Sequence, residues 1–393
     1  MCGIVGIVAR TERGASMLDG LEAATQCLAR RGPDHGAVFR DARVGLGHRR
    51  LAVIDTSAAA NQPMSDASGR YTIVYNGEVY NFRELRSRLG PRAAGLRTQS
   101  DTEVVLNLFA QDGASMLETL NGFFAFAVYD RESGEVVIAR DRFGIKPLLV
   151  YSDDDCVMFA SEMSALLAFP IRRELDEVSL FEYLQLTYVP APHSMLKHVR
   201  KLEPGCYVRI ADGRVSTERF AFPAAAEPSS PVGIGYDDAQ RRLVELMDAS
   251  VERQLVSDVP LGAFLSGGLD SSIVVALAAR HTRELQTYSI GFPDQPHFDE
   301  SAAAAATARA LGVPHTTFRV TRRELDACLG DVLDATDEPF ADSSALAVYI
   351  LSRHTRAHVT VALSGDGADE VFGGYNKHYG EHLARRGDLR TRT

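Results

Sequence analysis

A cysteine stands second in this chain, in Met1-Cys2-Gly3-Ile4. A small residue after the initiator favours trimming of the methionine, which leaves Cys2 with a thiol and a free α-amine on one residue. That amine titrates near pH ~8, so it can act as a general base at neutral pH. A thiolate is a strong nucleophile, and an adjacent base activates it further. One residue then carries both nucleophile and base. The same residues also suit a buried cysteine in an N-terminal strand.

Three segments could meet Cys2. Arg50 could grip a carboxylate bidentately. Asn76-Gly77-Glu78 ends a strand-like run and offers a side-chain amide and a backbone N–H, the parts of an oxyanion hole. Asp101 could bind an α-ammonium. Taken singly, these also read as a surface arginine, a turn and a helix cap.

Two glycine-rich segments point to phosphate chemistry. Ser266-Gly267-Gly268-Leu269-Asp270-Ser271-Ser272 lies between a strand-like and a helix-like stretch. Glycines admit a polyanion to the backbone, and amides and hydroxyls at a helix N-terminus bind phosphate oxygens. No Lys-Ser/Thr pair follows, so this is not a Walker A loop. An aspartate beside phosphates calls for a cation between them, which makes Asp270 a candidate magnesium ligand. Leu363-Ser364-Gly365-Asp366-Gly367-Ala368-Asp369-Glu370, then Phe372-Gly373-Gly374-Tyr375, follows another apolar strand, where open α/β sheets bind ligands. Asp366, Asp369 and Glu370 would repel one another without magnesium or an ammonium-bearing substrate. Alternative readings are a capped glycine turn and a solvated acidic turn.

The elements that must position these residues divide the chain in two. The first half reads mostly as strands, among them 71–75, 123–129 and 136–139. Two helices interrupt them. Met17, Leu21, Ala24 and Leu28 recur at helical spacing, and Ser100-Asp101-Thr102-Glu103 is a capping-box pattern. Few helices among many strands suggest layered sheets. The stretch 222–235, with Pro223, Pro228 and Pro231, reads as a linker. Beyond it strands alternate with helices: strand 261–265, helix 271–280, strand 287–292, helix 300–311, strand 316–320, helices 324–335 and 345–356, strand 359–363. That rhythm predicts an open parallel sheet with helices on both faces. The expected domains are 2–221 and 236–393.

The length of 393 residues suits two domains, and 45% hydrophobic with 24% charged residues is ordinary for a globular protein. A formal net charge of −10 argues against nucleic acid or an anionic membrane as partner. Cys2, Cys27, Cys156, Cys206 and Cys328 form no CxxC pair and no zinc pattern. Odd in number and scattered, they fit reduced thiols and a cytoplasmic setting. No leader-like segment precedes Cys2, and no uncharged apolar run is long enough to span a bilayer.

Together the segments resemble the glutamine-hydrolysing asparagine synthetases. The N-terminal part resembles a class II glutamine amidotransferase domain of the N-terminal-nucleophile type. It carries Cys2-Gly3-Ile4, Arg31-Gly32-Pro33-Asp34, Gly47-His48-Arg49-Arg50-Leu51, Tyr75-Asn76-Gly77-Glu78-Val79-Tyr80-Asn81, Ser100-Asp101-Thr102-Glu103, and the run from Arg140-Asp141-Arg142-Phe143 through Gly144-Ile145-Lys146-Pro147-Leu148. The C-terminal part resembles the ATP-pyrophosphatase synthetase domain. Its signatures are the two phosphate-type segments and Asp342-Ser343-Ser344.

The resemblance implies a layered αββα N-terminal-nucleophile fold followed by a parallel-sheet α/β fold. It implies that Cys2 attacks the side-chain amide of glutamine and forms a thioester. Arg50, Leu51, Ile54, Glu78 and Asp101 would bind glutamine, with Asn76 and Gly77 as the oxyanion hole. The released ammonia would travel through an internal tunnel and aminate a β-aspartyl-AMP made from aspartate and ATP, giving asparagine, AMP and pyrophosphate. Leu265, Ser266, Gly267, Gly268, Asp270, Ser271, Ser272, Ile290, Ser364 and Gly365 would contact ATP. Asp270 and Asp369 would hold Mg2+, and Asp366 occupies an acidic position linked to adenylate formation. The expected partners are glutamine, aspartate and ATP, with no nucleic acid and no membrane; a homodimer is left open. Family members continue past Tyr375 into a long helical segment, whereas this sequence ends at Thr393. A short synthetase part with weak or uncoupled activity is therefore expected. Two other readings stay open: an amidotransferase acting on another carboxylate, and a glutaminase or nucleotide-binding remnant.

Overall fold

A computed structural model describes residues 1–221 and 233–386. The expected linker falls largely outside them. Two compact units result: Met1–Gly233 with Leu333–Asp342, and Ile234–Val332 with Ser343–Thr393.

Within the described residues, the first unit has twelve strands. They are β1 (Gly3–Ala9), β2 (His35–Arg40), β3 (Val44–Arg50), β4 (Met64–Ser65), β5 (Tyr71–Val79), β6 (Gly122–Asp130), β7 (Val136–Arg140), β8 (Leu149–Ser152), β9 (Cys156–Ala160), β10 (Val199–Lys201), β11 (Cys206–Ala211) and β12 (Arg214–Arg219). Six form a sheet in the order β10-β8-β9-β1-β3-β2, and six a second sheet, β12-β11-β7-β6-β5-β4. The pairing in both is antiparallel. Period-two alternation sends Ile4, Leu46, Val74, Ala125, Ala127 and Phe159 into one shared core between the sheets.

The opposite face of the first sheet buries Val5, Ile7 and Met158 against Leu21, Leu28 and Leu166. Glycine makes this approach tight: a Cβ on Gly47 would lie 2.0 Å from Thr25 Oγ1. Helix Asp101–Asp112 lies on β5 of the second sheet and buries Val104, Val105 and Leu108. The result is the expected αββα layering.

Two expectations about helices need correction. The stretch around Met17 to Leu28 is a chain of short pieces, Glu12–Ser16, a 3-10 turn Met17–Gly20 and Leu21–Cys27. The unit also holds helices Phe82–Arg88, Met163–Leu167 and Glu177–Leu186. Pieces of one to three turns give too few repeats for a 3.6 period to stand out. The segment Leu333–Asp342 is fixed within this unit by Glu338, whose carboxylate accepts from Met195 N (2.7 Å) and pairs with Lys201 Nζ (2.6 Å).

The second unit holds β13 (Leu261–Phe264), β14 (Gln286–Gly291), β15 (His315–Arg319) and β16 (Val361–Leu363). They form one parallel sheet in the order β15-β14-β13-β16. Helices Leu269–His281, Ser301–Leu311, Arg322–Ala335 and Ser344–Thr355 alternate with the strands. Ala263, Leu265, Val275, Ala278 and Ala304 form one core cluster; Val320, Cys328 and Ile350 form another. Because β16 lies beside β13, the loops that follow these strands leave the same sheet edge side by side. All five cysteines are free. Among the described residues no helix is long and apolar enough to cross a membrane.

Candidate active site

The alternation that fills the core of the first unit also builds the site. Gly3 pairs with Arg49 and Ile4 with His48, so Cys2 stands opposite Arg50. Cys2 continues the inward row of Ile4 and Val8; His48 and Arg50 continue that of Val44 and Leu46. On the facing sheet, Asn76 and Glu78 continue the row of Val74, and Phe123 that of Ala125 and Ala127. At one end of the intersheet layer, four apolar rows thus turn into chemistry.

The Cys2 sulfur lies 3.4 Å from the Leu51 amide, which donates to it, and 3.6 Å from the Leu51 carbonyl. Arg31 donates from Nε to the Cys2 carbonyl (2.9 Å) and pairs with Glu162 (3.0 Å). Burial pushes the Cys2 thiol up, against smaller opposite pulls from the Leu51 amide, the amino terminus, Lys146 and Arg50. The resting group is therefore a thiol that needs a base.

Arg50 is buried and its guanidinium is already held. Nη1 donates to Ser57 O and Asn61 Oδ1, both at 2.8 Å, and Nη2 to the carbonyls of Ile54 and Asp55. The charge is fixed in place by four carbonyl oxygens, and the bidentate grip expected from sequence would have to displace some of them. Asp101 is equally committed. It accepts from Tyr75 OH (2.8 Å), Val79 N (3.0 Å) and Thr102 N (2.9 Å). Ser100 caps its helix through Glu103 N, while the Glu103 carboxylate accepts from the amides of Arg97 and Thr98.

The edge of β5 explains the Asn76-Gly77 pair. β4 is two residues long and covers only Thr72 and Ile73. Further along, side chains replace the missing strand. Tyr75 N donates to Gln62 Oε1 (2.6 Å), His48 Nε2 meets Tyr75 O (3.0 Å), and Val79 N donates to Asp101. Antiparallel alternation turns the Gly77 N–H to this same edge. Gly77 must be glycine, since a Cβ would lie 2.5 Å from Phe123 O. The Asn76 side chain is 1% exposed, and its Nδ2 has no hydrogen-bond partner among the described residues. An unmade bond at a buried donor costs ~1–3 kcal/mol. A donor kept at that cost, beside an outward N–H and on the layer that holds a cysteine, suits an incoming oxygen.

Three more groups complete the electrostatics. Glu78 is pushed up to about 7, chiefly by burial and then by the negative charge of Asp101. Lys146 is buried, sits 4.5 Å over the Phe123 ring, and is pushed down by burial. His48, fully buried, is pushed down to about 3 and is uncharged at neutral pH. Sequence reasoning gave no role to His48, Gln62 or Lys146. The inward row 44-46-48-50 would have exposed His48. Lys146 comes from a turn, held by Asp141 accepting from the amides of Phe143, Ile145 and Lys146, and it has no periodic signal.

In the second unit, Leu265 is buried and anchored to β14 by Leu265 N donating to Tyr288 O (2.9 Å). Ser266 Oγ and Ser271 Oγ are 2.9 Å apart, Ser266 Oγ accepts from Gly268 N, and Ser272 Oγ donates to Gly268 O. The loop therefore folds on itself ahead of helix Leu269–His281. Gly267 N donates to Glu300 Oε2 (3.1 Å), so an anion of the protein already holds one loop amide. A Cβ on Gly365 would lie 2.8 Å from Ser271 N, which places the second loop directly against the first. Asp366 accepts from Ser364 Oγ (2.9 Å). Ile290, partly buried, packs on the Val320 cluster.

No group of three or more His, Cys, Asp or Glu among the described residues could hold a metal alone. Mg2+ needs no such group, since it takes one or two carboxylates and completes its shell with phosphates and water; Asp270 lies in the first turn of helix Leu269–His281 and Asp369 in that of helix Ala368–Phe372.

Residues 1–221 match the glutamine amidotransferase domain family and residues 242–392 the asparagine synthase family. Asparagine synthetase [glutamine-hydrolyzing] 1 of Bacillus subtilis is 37% identical over 96% of this chain and 59% of its own length. A Methanocaldococcus jannaschii protein, provisionally named a glutamine-hydrolysing asparagine synthetase, is 32% identical over 96% of this chain and 76% of its own. A Gibberella zeae protein named as an amidase is 28% identical over 98% of this chain and 61% of its own. The chain thus spans about three-fifths of the length of several curated relatives that it matches.

Proposed function

The chain belongs to the glutamine-hydrolysing asparagine synthetase family, and from that premise we propose that its first unit hydrolyses glutamine and its second uses ATP to activate the carboxylate that receives the ammonia. The observation that carries the first half is the buried, unpartnered Nδ2 of Asn76 beside the outward N–H of Gly77, on the layer that ends in Cys2.

Removal of Met1 would turn the Cys2 nitrogen from a peptide amide into an amine, the base that a raised thiol needs. The amine takes the thiol proton, and Cys2 attacks the side-chain carbonyl carbon of glutamine. Asn76 Nδ2 and Gly77 N–H receive the developing oxyanion. The proton passes to the leaving nitrogen, ammonia departs, and water cleaves the thioester to glutamate. Arg50 attracts the substrate carboxylate. Asp101, fully committed to Tyr75 and Val79, acts on the ammonium by charge, with Glu78 as the titrating partner beside it.

For the second half, the paired loops after β13 and β16 support a nucleotide triphosphate. Amides and hydroxyls of 266–272 and 364–367 would hold it, with Leu265 and Ile290 beside the base. Asp270 and Asp369 would hold Mg2+, which neutralises phosphate charge when bound. Aspartate as acceptor rests on family membership. The relative named as an amidase supports a second reading, in which another carboxylate is amidated.

The test begins with glutamate release from glutamine by the purified chain and by Cys2→Ala. Release by the native protein and its loss in the variant are expected. Equal rates would overturn the nucleophile. ATP, Mg2+ and aspartate are then added and AMP and asparagine measured; AMP formed only with a different carboxylate would select the second reading.

A further inference from the structure

The chemistry proposed at Cys2 gives Asn76 and Gly77 the work of stabilising charge. Both donors must also be aimed. Neither residue is held at its open side by a neighbouring strand, because β4 begins only at Met64, opposite Ile73. A strand edge that lost its partner would sway, and a donor misplaced by about 1 Å can cost about a hundredfold in rate.

Tyr75 fixes this edge ahead of the pair, as Val79, donating to Asp101, does beyond it. The Tyr75 N–H donates to Gln62 Oε1 (2.6 Å), its carbonyl faces His48 Nε2 (3.0 Å), and its hydroxyl donates to Asp101 Oδ2 (2.8 Å). A carbonyl only accepts, so Nε2 carries the proton. The other ring nitrogen, Nδ1, is buried with no partner among the described residues. The ring thus forgoes one hydrogen bond in order to make the other. The carbonyl of Tyr75 and the amide nitrogen of Asn76 belong to one planar peptide unit. Fixing that plane fixes the Cα of Asn76, hence the direction of its side chain. Gly77 N–H follows one residue later along the same strand.

We infer that His48 and Gln62 are positioning residues, standing in for the absent stretch of β4 so that the edge of β5 stays aligned while Gly77 N–H stays open to substrate. A full-length β4 would align the edge equally well, but it would take the Gly77 N–H for its own ladder. Two side chains reaching Tyr75 give the alignment without closing the site. This inference rests on the reading of Asn76 and Gly77 as oxyanion donors.

The experiment compares native protein, His48→Ala, His48→Gln, Gln62→Ala and Asn76→Ala. It measures kcat and KM for glutamine hydrolysis, and the rate at which iodoacetamide alkylates Cys2. His48→Ala is expected to lower kcat about ten- to a hundredfold, with KM and alkylation rate within about threefold of native. Gln62→Ala should show the same split. His48→Gln, which restores an N–H donor, should recover part of kcat. In a His48→Ala/Asn76→Ala double variant the His48 loss should shrink, since its main client is gone.

Native kcat in His48→Ala or in Gln62→Ala overturns the inference. A fall in alkylation parallel to kcat also overturns it, because that marks general loss of structure. If His48→Ala does not fold, the same criteria apply to Gln62→Ala. A native protein without glutaminase activity would instead sink the underlying reading of the site.

Discussion

The proposed glutamine site and the proposed nucleotide site are built in opposite ways. In the first unit, Asn76, Arg50 and Asp101 are buried; the Arg50 guanidinium and the Asp101 carboxylate are bound by the protein before any substrate arrives, and the Asn76 amide nitrogen is left open, with no partner among the described residues. Around the second, Leu269 is 73% and Val371 70% exposed, and the loop hydroxyls bond mainly to their own loop. The first site is an extension of a hydrophobic core, preorganised by strand register. The second is a pair of loops at a sheet edge, and in the proposed reading its ligand brings its own charge and metal. A preorganised site gives up stability for fixed donors; a loop site leaves part of its assembly to the ligand.

The sharpest break of this comparison is Asn76→Ala. If the orphan amide is an oxyanion donor, kcat for glutamine hydrolysis should fall about 10²–10³-fold with little change in KM. Because that amide is unpaired in the free protein, removing it should not lower the melting temperature. A large loss of stability with unchanged kcat would mark Asn76 as a packing residue.

The corresponding probe of the second site is Gly365→Val. A side chain there meets Ser271 N and the backbone and Cβ of Asp270 at 2.8–3.1 Å, so the two loops must part. Binding of a non-hydrolysable ATP analogue with Mg2+, measured by calorimetry, should weaken at least about tenfold, on the scale of one or two lost charge-assisted contacts. Glutamine hydrolysis should stay within about twofold. Unaltered nucleotide affinity would show that the loops bind independently.

Both sites were readable from sequence to different depths. The parallel sheet was legible because its strands and helices alternate, and the loops after β13 and β16 carry their glycines in unbroken runs. The residues proposed for the first site, Cys2, Arg50, Asn76, Glu78 and Asp101, were singled out as types in separate segments. What joins them is register: Gly3 against Arg49, and Asn76 against Ala125. That information lies in pairing between strands far apart in the chain. His48 and Gln62 were missed for a related reason. Their function is to replace a strand, and the shortness of β4 at Met64–Ser65 is visible only once the sheet is assembled. The short helices escaped because one to three turns give too few repeats for a period to stand out.

The subtlest test of a preorganised, buried site is its pH dependence, and Glu78→Gln isolates it. Burial, then Asp101, raises Glu78 to about 7 from an ordinary value near 4.5. The folded state therefore keeps a proton that the unfolded chain has released between pH 4.5 and 7. Stability contributed by the neutral form is full below 4.5 and is lost as pH rises through 7. His48 works in the other direction. Held near 3, it leaves the unfolded chain to bind the proton, so stability is lost as pH falls from 6.5 toward 3. In the native protein these two trends oppose one another between pH 4.5 and 6.5. Glu78→Gln removes the first and leaves the second, so the variant's melting temperature should rise more steeply from pH 5 to 7.5 than that of the native protein. Activity supplies the second readout. A carboxylate that forms only above pH 7 attracts the substrate ammonium only there, so native kcat/KM for glutamine should climb through about pH 7. In Glu78→Gln that limb should vanish, leaving a few-fold lower plateau and a rise near ~8 set by the Cys2 amine. Parallel pH profiles in the two proteins would place the titrating charge elsewhere and remove Glu78 from the binding of glutamine.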